Sequence, residues 1–349
     1  MTSNKEEFEK DCPDYPYIST IIPPVDRIIA IGDLHGDYNL TLQILKLTKI
    51  IDSDLNWIGK NTVVVQVGDQ VDRCRPYEFK CDDPRATLND EASDYKIMKF
   101  LTDLNEKAKN DGGKVISLLG NHELMNVKGN MNYVSYLGLE EFNDYEDPND
   151  PTIKFNSGKE ARIHAFAKGN EIARFMGCTR LSAVIVGDFL FAHAGIIPQY
   201  AEELELNNRE DIEKLNSIVR KWLLGHVTPN YIDKIVGSSK NSMFWNRVLG
   251  NIPNNKSMSS PDCQLYVKPV LDLFDLKGMI VGHTPQFTKN NSGISKTCDN
   301  SVLRADFGGS DAFSPFDNDF NKKTKKRSVL RRAMAFEIIN NKEIKVIGV

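Results

Sequence analysis

The sequence predicts an α/β protein organised as one main domain. Three observations carry this: short β-branched runs that end directly in Gly-Asp, Gly-Asn, Ala-His or Gly-His, helical patterns between many of them, and no linker-like stretch dividing the chain. Residues 1–26 read as an N-terminal extension and residues 27–349 as the domain, with surface insertions near 74–93 and 140–160.

Taken in order, Arg27 to Ile31 reads as a buried strand running into Gly32-Asp33-Leu34-His35-Gly36, followed by an amphipathic helix through Leu40, Ile44, Leu45 and Leu47. Thr62 to Val67 repeats the pattern and leads into Gly68-Asp69-Gln70-Val71-Asp72-Arg73. Asp90 to Ala108 is helical in period, with Ile97, Phe100, Leu101 and Leu104 on one face, and Gly112-Gly113 ends it. Lys114 to Leu119 is then a strand that delivers Gly120-Asn121-His122-Glu123. A polar, acidic loop around Glu140 to Asp150 precedes a mostly helical stretch. Leu181 to Val186 and Phe189 to Ala192 form a hairpin across Gly187-Asp188, ending at His193. Asn207 to Leu224 reads as a helix and Lys277 to Val281 as a strand ending in Gly282-His283-Thr284. Ala333 to Ile339 and Glu343 to Ile347 pair across an Asn-Asn-Lys turn.

Composition narrows the function classes. A chain of 349 residues with 40% hydrophobic content can bury a substantial core. Its formal net charge of -4 and pI of about 5.9 provide no global basic field for nucleic acid or an acidic membrane surface, so any phosphate must be held locally. The basic run Lys322 to Arg332 reads as a solvated loop. Met1 to Lys10 lacks the pattern of a secretory signal, and the longest apolar stretch, Leu181 to Pro198, is broken by Asp188 and His193, so a soluble protein is expected. The six cysteines contain no C-x-x-C pair and fit neither a disulfide framework nor a thiolate zinc site, which makes the reducing cytoplasm the expected location. Cys74 reads as a bystander thiol, with an oxidative switch shared with Cys81 as the sharper alternative.

Strand-end loops aim short, rigid ligands inward, and glycines beside them let the backbone pass close to an ion. Asp33, His35, Asp69, Asn121, His193 and His283 together offer hard oxygens and imidazoles, a set that suits manganese, iron or zinc. Asp33 and His35 would grip one ion and Asn121, His193 and His283 a second, with Asp69 bridging them. Two such ions lower the pKa of a shared water and stabilise both the attacking and the leaving oxygen of an in-line displacement at phosphorus. The leaving oxygen still needs a proton, and His122, with Asp72 holding its imidazole, is the candidate general acid. Arg73 is the candidate bidentate clamp on the phosphoryl group and Arg247 a second one. Glu123 reads as structural, holding the motif loop. Asp306 is either functional or a strand-end cap, and His164 and His226 lack motif context.

The five strings beginning at Gly32, Gly68, Gly120, His193 and Gly282 together resemble the signature of calcineurin-like metallophosphoesterases, with the PPP-type phosphatases the closer fit. His193-Ala194-Gly195, the Phe166-to-Arg180 stretch, Trp245-x-Arg247 and Arg304-x-Asp306-x-Gly308-x-Ser310 are similar to the Shewanella-like phosphatase branch. The resemblance spans roughly Ile28 to Ile347. It implies a central β-sandwich of two mixed sheets flanked by α-helices, two divalent metal ions (Mn first, with Fe or Zn as alternatives), and hydrolysis of a phosphorylated protein or peptide. The same motifs also fit a diadenosine tetraphosphate pyrophosphatase or a cap-cleaving hydrolase, and a non-catalytic binding module is the reading from a different class. The sequence departs from the family at Cys74, where Gly is usual, and in the polar stretch from Cys74 to Ser93.

Overall fold

Twelve strands rich in β-branched and aromatic residues form in the computed structural model, which describes residues 4–286, 293–317 and 332–348, and they build two six-stranded sheets. The strands are β1 (Ile21–Ile22), β2 (Arg27–Ile31), β3 (Val63–Gln66), β4 (Lys114–Leu118), β5 (Arg180–Leu181), β6 (Ala183–Val186), β7 (Phe189–Ala192), β8 (Gly278–Val281), β9 (Ser295–Thr297), β10 (Val302–Arg304), β11 (Ala335–Ile339) and β12 (Glu343–Ile347). One sheet has the order β12-β11-β2-β3-β4-β5, the other β1-β6-β7-β8-β10-β9. Both are mixed, as the resemblance implied, and helices flank them.

Side-chain alternation makes the sandwich. On β6 and β7, Val184, Val186, Phe189 and Phe191 join the cluster that includes Ile28, Val64 and Ile116 of the facing sheet. Ala183, Ile185, Leu190 and Ala192 point the other way, into a cluster with helical residues such as Ala173, Met176 and Val219. β2, β3 and β4 run parallel, so the loops that follow them emerge at one edge. β7 and β8 are parallel as well and bring His193 and His283 out together. Parallel order is therefore what gathers motifs that are far apart in sequence.

Two elements differ from the sequence reading. The stretch expected as one strand, Leu181 to Val186, is broken at Ser182, where the chain leaves one sheet for the other. The freed amides of Ser182 and Ala183 both donate to Asn216 Oδ1, at 2.7 and 3.1 Å. The segment read as an extension supplies a helix, Asn4–Asp11, and β1, which pairs in parallel with β6. The run Lys322 to Arg332 lies, except for Arg332, outside the described residues. Among the described residues no helix is long and apolar enough to cross a membrane.

The cysteine reading is corrected, apart from the alternative that paired Cys74 with Cys81. All six form disulfides, Cys12–Cys178, Cys74–Cys81 and Cys263–Cys298, and the compartment argued from free thiols loses its premise. Two of the pairs span 166 and 35 residues, separations that local spacing rules do not see. Alkylation of the denatured, unreduced protein is expected to label none of its six cysteines, and all six after reduction. Mass spectrometry reads this directly, and labelling without reductant would contradict the pairing.

Candidate active site

The centre begins with two loops locked to each other. The amides of Leu34 and His35 both donate to Asp69 O at 2.9 Å, and Gly36 N donates to Gln70 O at 2.8 Å, so the parallel ladder of β2 and β3 continues into the motif loops. The next motif joins through Glu123. Its buried carboxylate accepts N–H groups from Asp69 (3.0 Å), Gln70 (2.7 Å), Val71 (3.3 Å) and Gly120 (2.6 Å). Glycine is required where backbone meets carboxylate: a Cβ at Gly120 would lie 2.2 Å from Asp69 Oδ1, and one at Gly282 2.2 Å from Asp33 Oδ1. Four site residues hold left-handed backbones, His35 (φ 43), Asp69 (φ 55), Asp72 (φ 74) and His283 (φ 64), a conformation non-glycine residues keep only where surrounding contacts impose it.

All six residues proposed as ligands are buried around one point. Asp69 Oδ2 lies 3.3 Å from His193 Nε2, 3.8 Å from His35 Nε2 and 3.9 Å from His122 Nε2. Asp33 Oδ2 is 3.9 Å from His35 Nε2. Asn121 Oδ1 sits 2.9 Å from His193 Nε2 and 2.8 Å from His283 Nδ1. Two groups of donor atoms close enough to hold an ion follow, one from His35, Asp69 and His122 and one from Asp69, His193 and His283, with Asp69 common to both.

Backbone carbonyls set the tautomers. Val71 O faces His35 Nδ1 (3.2 Å), Val67 O faces His193 Nδ1 (2.9 Å), and Trp245 O faces His283 Nε2 (3.0 Å). A carbonyl only accepts, so each of those nitrogens carries hydrogen and the opposite nitrogen of a neutral ring turns its lone pair inward. The lone pairs of His193 and His283 then converge on the acceptor Asn121 Oδ1. Acceptor facing acceptor within 3 Å is repulsive unless a cation lies among them, and the donor set therefore fits divalent ions.

Charge tells the same story. Burial, followed by the charges of Asp306 and Asp69, pushes the Asp33 carboxyl well above its usual range. Burial and Asp69 likewise raise Asp306 to about 6, and its Oδ2 is buried without a hydrogen-bond partner. Burial would raise Asp69 too, but the imidazoles of His193, His122 and His35 hold it well below. Burial and Arg75 lower His35, while burial and His193 lower His283. A cation would relieve the carboxylate repulsion and suit the lowered imidazoles of His35 and His283.

A cavity of about 600 Å³ opens on this centre, with Arg75, Arg247, Tyr133, Trp245 and Phe313 in its walls. His122 lines it, and its Nδ1 is 2.6 Å from Asp72 Oδ2. Arg247 donates to His283 O at 3.2 Å. Arg73, the expected clamp, does not line this cavity. It is 1% exposed, donates to Gly36 O (3.0 Å) and Asn89 O (2.9 Å), and pairs with Asp37 at 3.3 Å. Arg75, passed over in the sequence, occupies the wall: its Nη2 is 2.7 Å from His35 Nε2, and its guanidinium lies over Phe313 at 4.6 Å. No periodicity marked it, because the left-handed turn at Asp72 redirects the chain. His164 pairs with Asp147 and His226 with Asp11, outside this cavity.

A family profile described as calcineurin-like phosphoesterase matches residues 26–287. Shewanella-like protein phosphatase 2 of Arabidopsis thaliana is 31% identical over 311 residues, which cover 81% of this chain and 71% of that one. An uncharacterised protein of Acanthamoeba polyphaga mimivirus is 42% identical over 238 residues, 65% of this chain and 91% of the other. Among solved structures, a cold-active protein-tyrosine phosphatase of a psychrophilic Shewanella superposes with TM-score 0.60 at 20% identity, covering 95% of this chain and 82% of its own; at that identity the likeness bears on the fold.

If Glu123 holds the loops after β3 and β4 together, Glu123→Gln leaves one oxygen for four N–H groups and turns an amide NH2 onto two of them. The variant is expected to lose about 2–4 kcal/mol in urea unfolding. An unchanged midpoint would remove Glu123 from this role.

Proposed function

This chain is a hydrolase of the calcineurin-like phosphoesterase family, and we propose that it is a two-metal phosphoprotein phosphatase. The observation that carries the reading is the pair of donor groups sharing Asp69 on the floor of a cavity walled by two arginines. Asp33, His35 and Asp69 would hold one divalent ion, and Asp69, Asn121, His193 and His283 the other, with manganese ahead of iron or zinc for this oxygen and imidazole set. Bound there, the ions supply Lewis acidity and a water acidic enough to ionise near neutral pH.

The chain's own residues do the rest. Arg75 and Arg247 flank the floor and take the phosphoryl oxygens as planar donors, the task the sequence reading gave to Arg73 and Arg247. His122 Nε2 faces Asp69, with Nδ1 held by Asp72, so its proton is aimed at the oxygen that leaves phosphorus. One lone pair serves one partner, so the Arg75–His35 contact gives way when an ion takes His35 Nε2. The rings of Tyr133, Trp245 and Phe313 offer aromatic faces to a substrate side chain, which favours phosphotyrosine over phosphoserine by up to about tenfold in kcat/KM.

Two outcomes check this reading. Arg75→Ala is expected to lower kcat/KM for phosphate monoesters about a hundredfold with little change in melting temperature, whereas Arg73→Met should cost about 3–5 kcal/mol of stability, since it leaves the buried carboxylate of Asp37 without its partner. The reverse pattern, read by kinetics and thermal denaturation together, would return the clamp to Arg73. Under Mn, phosphopeptides are expected to turn over faster than dinucleotide polyphosphates or capped RNA. A rate advantage for either nucleotide substrate would replace the phosphoprotein reading with the pyrophosphatase or cap-cleaving one.

A further inference from the structure

The pair His122–Asp72 is not the end of its own chain of contacts. Asp72 is wholly buried, and only one of its oxygens, Oδ2, faces the imidazole. Oδ1 accepts from Asn126 Nδ2 at 2.8 Å and lies 3.9 Å from Arg162 Nη2. Asn126 in turn accepts from Arg162 Nε through Oδ1 at 3.0 Å, so a single amide bridges the carboxylate and the guanidinium. Arg162 belongs to the helix Gly158–Phe166, outside every sequence motif of the site, and is 0% exposed. Its other donors go to Asp94 Oδ2 (2.7 Å) and Gly138 O (3.0 Å), and its guanidinium lies over Phe166 at 4.8 Å. Asp94 Oδ2 also accepts the backbone N–H of Asp72 at 3.1 Å.

The consequence is an orientation problem with one solution. A buried carboxylate with a free rotor can offer either oxygen, or a twisted one, to its imidazole. Here the backbone of Asp72 is fixed by Asp94, its second oxygen by Asn126, and both of those by Arg162. Two buried carboxylates, Asp72 and Asp94, also need a counter-charge, and Arg162 lies within 4 Å of each.

We infer that Arg162 is a positioning residue for the proton donor: acting through Asn126 and Asp94, it sets the angle at which Asp72 presents His122 to the leaving oxygen. The inference rests on the reading of His122 as general acid. A buried arginine that only supported the fold would lower activity toward all esters alike. One that aims the acid matters most where the departing oxygen most needs a proton.

The test compares kcat of the Mn-loaded enzyme on para-nitrophenyl phosphate, whose phenolate leaves readily, and on a phosphoserine peptide, whose alkoxide does not. Arg162→Met is expected to lower kcat on the phosphoserine peptide at least about tenfold more than on the aryl ester, with KM changed less than about twofold and metal content unchanged. Asn126→Ala, a smaller disturbance, should show the same bias and decides the matter if Arg162→Met does not fold. His122→Asn serves as the reference. If it shows no leaving-group bias, the general-acid reading fails and this inference falls with it. If it shows the bias while Arg162→Met and Asn126→Ala lose activity equally on both esters, or not at all, Arg162 is a structural residue and the inference is overturned.

Discussion

A single buried carboxylate, Glu123, carries the constraint on which the rest of the centre depends. The loops after β3 and β4 turn inward and take four backbone N–H groups away from water. Each would cost about 1–3 kcal/mol if left unpaired, and the carboxylate itself would be costlier still without them. Meeting one another, they fix the distance between two strand ends. That in turn places Asp69 Oδ1 2.9 Å from the amide of His122, so the bridging carboxylate and the imidazole beside it share one frame. Left-handed backbones at Asp69 and Asp72 are tolerated because this frame leaves them no alternative.

Charge is then distributed by depth. Carboxylates and inward-turned imidazole lone pairs make the floor a site for cations, while two arginines, Arg75 and Arg247, stand in the cavity walls. A chain with formal net charge -4 cannot draw a phosphate dianion by its overall field. Two guanidiniums over a floor that takes cations create that field locally, in a cavity of about 600 Å³.

How much of this was legible in the sequence follows from where each group gets its position. Asp33, Asp69, Asn121, His193 and His283 directly follow apolar strands or sit within the first loop residues, so strand direction alone brings them inward, and their motifs could be read. Glu123 was legible as structural for the same reason, lying two residues beyond Asn121. Cys74–Cys81, seven residues apart, was legible as an alternative, but Cys12–Cys178 was not, because its two halves meet only once the N-terminal helix packs and β1 joins β6. The break at Ser182 depends on Asn216, which no pattern in residues 181–186 announces. Nor does any local pattern of Arg162 reveal that it reaches Asp72, since that contact needs the fold of the segment between them.

The different surroundings of Arg73 and Arg75 show where motif reading stops and contact reading begins. A guanidinium has five N–H groups. Those of Arg73 already serve the carbonyls of Gly36 and Asn89, and the carboxylates of Asp37, Glu91 and Asp311 surround it within 3.7 Å. Asn89 and Glu91 lie in the 74–93 stretch that departs from the family pattern. An arginine so surrounded is held by the fold and does not line the cavity. Arg75 makes as many hydrogen bonds, to the carbonyls of Asp72 and Cys74 and to His35 Nε2, but its surroundings are the ring faces of Phe313 and Tyr133 in place of carboxylates. The Cys74–Cys81 disulfide closes the short loop that carries it, holding Arg75 to the wall at low entropic cost. The unusual rim thus has a physical function: it buries one arginine and presents the next.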